Sequence, residues 1–159
     1  MSIKAEGLPE KYPTVTAYLT IRGAAKAIEF YKKAFGAKEM TRSVGPDGQS
    51  LWHAQIKIGD SIVMMSDEFP EAGHTASPET LGGTTCAFQL SVPDADASFK
   101  RAVDAGAKVV MPLDNMFWGD RYGIVTDPFG HRWAICQPLE QLTMEEARKR
   151  AAAMYGGNR

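Results

Sequence analysis

Cysteine is scarce: the 159 residues hold two, Cys86 and Cys136. A disulfide framework needs more, so a small stapled secreted scaffold is set aside. Both cysteines sit in apolar, strand-like runs and read as small buried hydrophobes of a reducing compartment. Long hydrophobic runs are missing too, and nothing approaches the ~20 apolar residues of a membrane span. Met1-Ser2-Ile3-Lys4-Ala5-Glu6 has no apolar core, so no signal peptide is expected. Charge of one sign is also lacking, since 18 Lys and Arg stand against 19 Asp and Glu. A net charge of −1 gives no footprint for nucleic acid or an anionic membrane as partner. A cytoplasmic protein is expected. Histidine is rare, with three residues, His53, His74 and His131. They form no closely spaced ligand pair, so a metal site from His53, Asp67, Glu68 and His131 would need distant positions to converge.

What is present is ordinary globular composition, 44% apolar and 23% charged. The length suits one domain or two fused halves. Residues 1–13 are a polar arm with Pro9 and Pro13. Val15 to Ile21 alternates, with Val15, Ala17, Leu19 and Ile21 against Thr16, Tyr18 and Thr20, as in a strand packed on one face. Residues 24–35 carry Ala24, Ala27, Ile28, Tyr31 and Phe35 at helical spacing, and Gly36 suits the position after a helix. Strands follow at 38–44, 51–58 and 61–66. In the second, Trp52, Ala54, Ile56 and Ile58 alternate with His53, Gln55 and Lys57. The first half therefore reads βαβββ over 14–66. Residues 67–83, with Pro70, Gly73, Pro78, Gly82 and Gly83, read as a long linker.

The second half repeats the first over 84–138. Cys86, Phe88, Leu90 and Val92 alternate with Thr85, Ala87, Gln89 and Ser91. Asp94 caps a helix to Ala105 whose stripe is Ala95, Phe99, Ala102 and Val103. Gly36-Ala37-Lys38 and Gly106-Ala107-Lys108 close the two helices with the same tripeptide, about 70 residues apart. Such a period marks a duplicated half-domain, not a solenoid. Strands at 109–111, 122–126 and 131–137 complete the copy. Asp127-Pro128-Phe129-Gly130 has turn chemistry and joins the last two. Thr143-Met144-Glu145-Glu146 is a capping box opening a helix over 143–155, whose weak apolar face suits the outside or a second subunit. Gly156 to Arg159 reads as a frayed tail.

The helix segment Ala27-Ile28-Glu29-Phe30-Tyr31-Lys32-Lys33-Ala34-Phe35-Gly36, the turn Asp127-Pro128-Phe129-Gly130-His131 and the two βαβββ units resemble the vicinal oxygen chelate superfamily. More narrowly, the chain is similar to the glyoxalase/bleomycin-resistance/dioxygenase family. His53 to Ser61 and Phe117-Trp118-Gly119-Asp120-Arg121 point to its PhnB-like single-chain members. The resemblance spans residues 13–137. It implies an α+β fold: two tandem βαβββ modules forming a curled mixed sheet around a cleft, one domain overall and a homodimer. Leu19 and Ile21, and likewise Phe88 and Leu90, would lie under helices. Tyr18 and Gln89 would face the cleft.

Metalloenzymes of this family hold a divalent cation through His, Gln or Glu on the first and last strand of each module. Those positions fall here on Thr16 and Ala87, and on Val63 or Met64 and Ala134. Ala, Val and Met offer no hard donor, and Thr is a poor one. The expectation is no metal, no other cofactor and binding of a small, partly aromatic molecule. The expected ligand-binding residues are Tyr18, His53, Gln55, Met65, Gln89, Trp118 and Tyr122. The alternative is a metal-dependent lyase or dioxygenase of the glyoxalase type with non-standard ligands, and a third reading is a metal-free enzyme with His53 as base. His53 is either a ligand contact or a histidine satisfied by Gln55 or Tyr18. Met64 and Met65 are either pocket wall or core, whereas Trp52 and Trp133 are expected to be core. His131 is expected to bond backbone in its turn, and His74 to lie exposed in the linker. Asp120 and Arg121 read as a solvated pair.

Overall fold

The computed structural model describes residues 12–73 and 75–156. The chain divides into two compact units. The first runs to Thr85 and also takes in Pro128–His131; the second is Cys86–Asp127 with Arg132 onward.

In the first unit, β1 (Ala17–Ile21) leads into α1 (Ala24–Phe35), then β2 (Lys38–Val44), β3 (Leu51–Ile58) and β4 (Ser61–Asp67). The sheet order is β1-β4-β3-β2, with β1 parallel to β4 and the other pairs antiparallel. Period-two alternation gives the sheet two different faces. Leu19 pairs with Met65, and Met65 with Ala54, on one face; all three are buried. The buried stripe of α1, Ala24, Ala27, Ile28, Tyr31 and Ala34, supplies the rest of this core. Tyr18 pairs with Met64, Met64 with Gln55, and Gln55 with Thr41, on the opposite face. Val15 precedes β1 and is exposed, so it does not continue the apolar row as its alternation suggests.

The start of α1 is held from a distance. Gly23, the residue before it, has φ of 91° and makes no side-chain cap. Asp67 at the end of β4 takes over, because its Oδ1 accepts from the N–H groups of Gly23 (3.0 Å) and Ala24 (2.8 Å). Its Oδ2 accepts from the N–H of Leu51 at 2.7 Å.

The segment after β4 is more ordered than a linker. A 3₁₀ turn at Pro70–Ala72 is followed by α2 (Pro78–Leu81), capped by the Ser77 hydroxyl, which accepts from the Thr80 N–H. Glu68 secures it by accepting from the N–H (3.0 Å) and hydroxyl (3.0 Å) of Ser77 and from Thr80 Oγ1 (2.7 Å). The Ser77 N–H bond, helped by Thr80, holds the Glu68 carboxyl below its ordinary range. Ser followed by Pro is itself a helix-start signal. Pro128–His131 closes the unit. Phe129 meets Phe30 at a ring-centroid distance of 6.3 Å, and His131 Nε2 donates to the Thr20 carbonyl at 3.2 Å.

The second unit repeats the plan. Its elements are β5 (Ala87–Ser91), α3 (Ala95–Ala105), β6 (Lys108–Asn115), β7 (Asp120–Thr126) and β8 (Arg132–Pro138), with sheet order β5-β8-β7-β6. β5 runs parallel to β8. The repeat extends to the helix anchor: Gln137 Oε1, near the end of β8, accepts from the N–H of Ala95 at 2.9 Å. Trp133 is core, as expected, and its Nε1 donates to the buried Asp127. Helix α4 (Met144–Tyr155) opens on the capping box of Thr143 and Glu146 and buries none of its residues. The first eleven residues of the arm, His74 and the tail beyond Gly156 lie outside the described residues. No helix among the described residues is long and apolar enough to cross a membrane.

Candidate functional site

The polar face of the first sheet gathers three of the residues singled out from the sequence. Gln55 and His53 lie two apart on β3, and Tyr18 stands on β1 with Met64 of β4 between it and Gln55. Tyr18 Oη lies 3.3 Å from His53 Nδ1, and Gln55 Nε2 lies 3.2 Å from His53 Nε2. The Tyr18 and His53 rings are tilted by 41° with centroids 5.7 Å apart. Tyr12 completes the chain by donating its hydroxyl to Gln55 Oε1 at 2.9 Å. The sequence placed Tyr12 in the arm, and its partner is 43 residues away, so no local signal marks it.

The middle of the chain is covered, with Gln55 7% exposed, and both of its end rings are open, Tyr12 at 36% and Tyr18 at 47%. Thr41 and Ser66 belong to the same face, opposite Gln55 and Thr20 respectively. Their hydroxyl oxygens are buried and have no hydrogen-bond partner among the described residues. The face therefore keeps unused hydrogen-bonding capacity.

Met65 does not join this group. It is fully buried on the α1 side, because it pairs with Leu19 and Ala54, and Met64 is the methionine of the polar face. Trp52 is 53% exposed, contrary to its expected place in the core. Its indole lies against Gly45 of the β2–β3 turn, where a Cβ would come within 2.6 Å of Nε1.

The other expected ligand contacts are in the second unit. Gln89 pairs with Ala134, and Ala134 with Ile124, on the face that also carries Tyr122 and Cys136. Trp118 stands edge-on to Tyr122 at 5.5 Å and to Phe117 at 4.9 Å, with its Nε1 donating to Asp120 at 2.8 Å. Asp120 is thus Trp118's partner, and Arg121 instead grips Asp96 through two bonds of 2.6 Å each. Burial, with the Asp120 carboxylate beside it, pushes the Cys136 thiol up to about 11. Cys86 precedes β5 and is exposed, so the expectation of two buried cysteines holds for Cys136 alone. A shallow pocket of about 360 Å³ lies beside α4, lined by Met116, Phe117, Leu139, Arg150 and Met154 among others; its Arg150 is already paired with Glu140.

The metal positions implied by the resemblance remain poor in donors. Val63 and Met64 face Ala17 and Tyr18, and Ala134 lies between Gln89 and Ile124. Of the acidic residues considered for another site, Asp67 and Glu68 are both occupied in holding main-chain N–H groups. Among the described residues no three His, Cys, Asp or Glu side chains stand close enough to share an ion. The residues present do not fit a bound cation of the family's kind.

Two βαβββ units of identical strand order, each with its helix anchored by the end of its last strand, define a class of paired-module proteins. Residues 14–135 match the Glyoxalase/Bleomycin resistance protein/Dioxygenase superfamily, and the chain belongs to it. An uncharacterized protein of Mycobacterium tuberculosis (strain H37Rv) is 46% identical over 136 residues, covering 84% of this chain and 79% of that one. TioX from Micromonospora sp. ML1 is 27% identical in its crystal structure, with a TM-score of 0.60 covering 82% of this chain and all of its own. TnmS3 from Streptomyces sp. CB03234, described as an antibiotic binding protein, shares the fold at 23% identity and a TM-score of 0.57, covering 82% of this chain and 99% of its own.

Proposed function

We infer that the protein binds a small, partly aromatic molecule without the help of a metal ion, and that the polar face of the first sheet is the binding surface. The observation that carries this reading is the Tyr12–Gln55–His53–Tyr18 chain, which ends in a half-exposed aromatic ring with its hydroxyl oriented by a histidine. An aromatic ring fixed by a hydrogen bond gives a flat ligand contact area at low entropic cost. Both ring nitrogens of His53 are engaged by protein groups, which argues for a positioning role over that of a general base. The fold shared with an antibiotic binding protein is consistent with this reading, and the site chemistry carries it.

A thermal-shift screen of planar aromatic molecules, catechols and thiol conjugates tests the proposal, run on protein dialysed against a chelator and again with divalent metals added. A ligand at a hundred times its Kd adds about 2.7 kcal/mol of stability, an upward shift of roughly 5–10 °C at this chain length. The expected result is such a shift for a flat aromatic, unchanged by the chelator and reduced in Tyr18→Ala. Turnover that appears only with added metal would overturn it.

A further inference from the structure

The bonds along the polar face have a direction, and it selects the ligand. Gln55 Oε1 accepts from Tyr12, so the group that Gln55 turns to His53 is its amide N–H₂. In this amide orientation, assigned from the hydrogen-bond network, the N–H₂ group donates and His53 Nε2 is the bare acceptor nitrogen. The neutral imidazole then carries its hydrogen on Nδ1, and Nδ1 faces the Tyr18 oxygen. His53 is therefore the donor in that bond and the Tyr18 oxygen accepts. Both end rings are exposed, but Tyr12 gives its hydrogen to Gln55, so the phenolic hydrogen left over is that of Tyr18.

We propose that Tyr18 is the specificity-determining residue of this face, donating its hydroxyl hydrogen to an acceptor oxygen on the ligand. The ligand class is a planar aromatic bearing a carbonyl or quinone oxygen. The Tyr12–Gln55–His53 chain is the positioning device that keeps Tyr18 a donor. This rests on the reading of the face as a binding surface.

Two measurements separate the parts. In ligand-free protein, long-range ¹H–¹⁵N correlation of labelled histidine reports which ring nitrogen of His53 carries hydrogen. The expected form is Nδ1–H; an Nε2–H ring would reverse every bond, turn the Tyr18 hydrogen onto His53 and overturn the inference. The second measurement compares 9,10-anthraquinone-2-sulfonate with anthracene-2-sulfonate, equal in charge and outline but with and without carbonyl oxygens. The quinone is expected to bind about threefold to tenfold more tightly, the share of one hydrogen bond, and Tyr18→Phe is expected to abolish that preference while leaving the anthracene affinity in place. Equal binding of both dyes to the unaltered protein overturns the donor role of Tyr18 and leaves the surface reading standing. No binding of either dye, with His53 in the expected form, overturns the surface reading and this inference with it.

Discussion

Asp67 bonds three main-chain N–H groups on two elements, so it joins the start of α1 to the start of β3. Gln137 makes one such bond in the second unit. Leaving a partly buried donor unpaired costs about 1–3 kcal/mol, and the three donors of Asp67 add less than fully. Asp67→Ala is expected to lower stability by about 2–4 kcal/mol and Gln137→Ala by about 1 kcal/mol, read from urea midpoints. Asp67→Asn, with one acceptor oxygen, should fall between. Equal losses for all three would sink the assignment of roles. Cys136 makes a second residue-scale prediction. Its folded value of about 11 lies above that of an unfolded thiol, so the folded state holds the proton more tightly. The contribution is fully present below pH about 8.5 and is lost as pH rises towards about 11. Cys136→Ala should flatten the fall in stability across that window relative to the unaltered protein. An identical fall in both would contradict the shift. At this scale the sequence showed residue types but few partners. His53 between Tyr18 and Gln55 was legible because alternation puts all three on one face. Tyr12, Asp67 and the Arg121–Asp96 pair were not, since each contact depends on a fold that brings distant residues together.

Among the elements, α3 buries only Ala95 and Ala102, and it comes close to β7 where the sheet has no side chain in the way. A Cβ on Gly123 would stand 2.8 Å from Phe99 Cε2 and 3.0 Å from the Leu113 nitrogen. The ring has limited freedom and the main-chain nitrogen has none, so overpacking follows. Gly123→Ala is expected to destabilise the protein by about 1–3 kcal/mol, measured by urea unfolding; a neutral effect would show that α3 slides freely over the sheet. The strands and long helices were legible because their periodicity is local, and glycine marks the ends of α1 and α3. The short α2 was missed under a run of Pro and Gly, although Ser77-Pro78 announces it. Trp52 misled because the β2–β3 register slips between Ser43 and Val44, so the strict alternation breaks at the start of β3, where Leu51 is buried and Trp52 exposed.

At the scale of the whole molecule, the duplication was visible in the spacing of two Gly-Ala-Lys tripeptides, and the strand orders repeat accordingly. What the repeat could not show is that the units are interleaved along the chain, with Pro128–His131 counted in the first. His131 is buried and bonds the Thr20 carbonyl, so β1 depends on a residue 111 positions away. His131→Ala should lower hydrogen-exchange protection of the β1 amides by about tenfold to a hundredfold. Loss confined to β7 and β8 would refute this dependence.

The same placement bears on synthesis. A chain leaves the ribosome at about 5–20 residues per second, so the forty-odd residues from Thr85 to His131 delay completion of the first unit by roughly 2–9 s. During that interval the nascent first sheet lacks Phe129 against Phe30 and the side chain that bonds Thr20. A ribosome stalled before Pro128 would thus display an unfinished first unit, with Phe30 and the Thr20 carbonyl uncovered and within reach of chaperones.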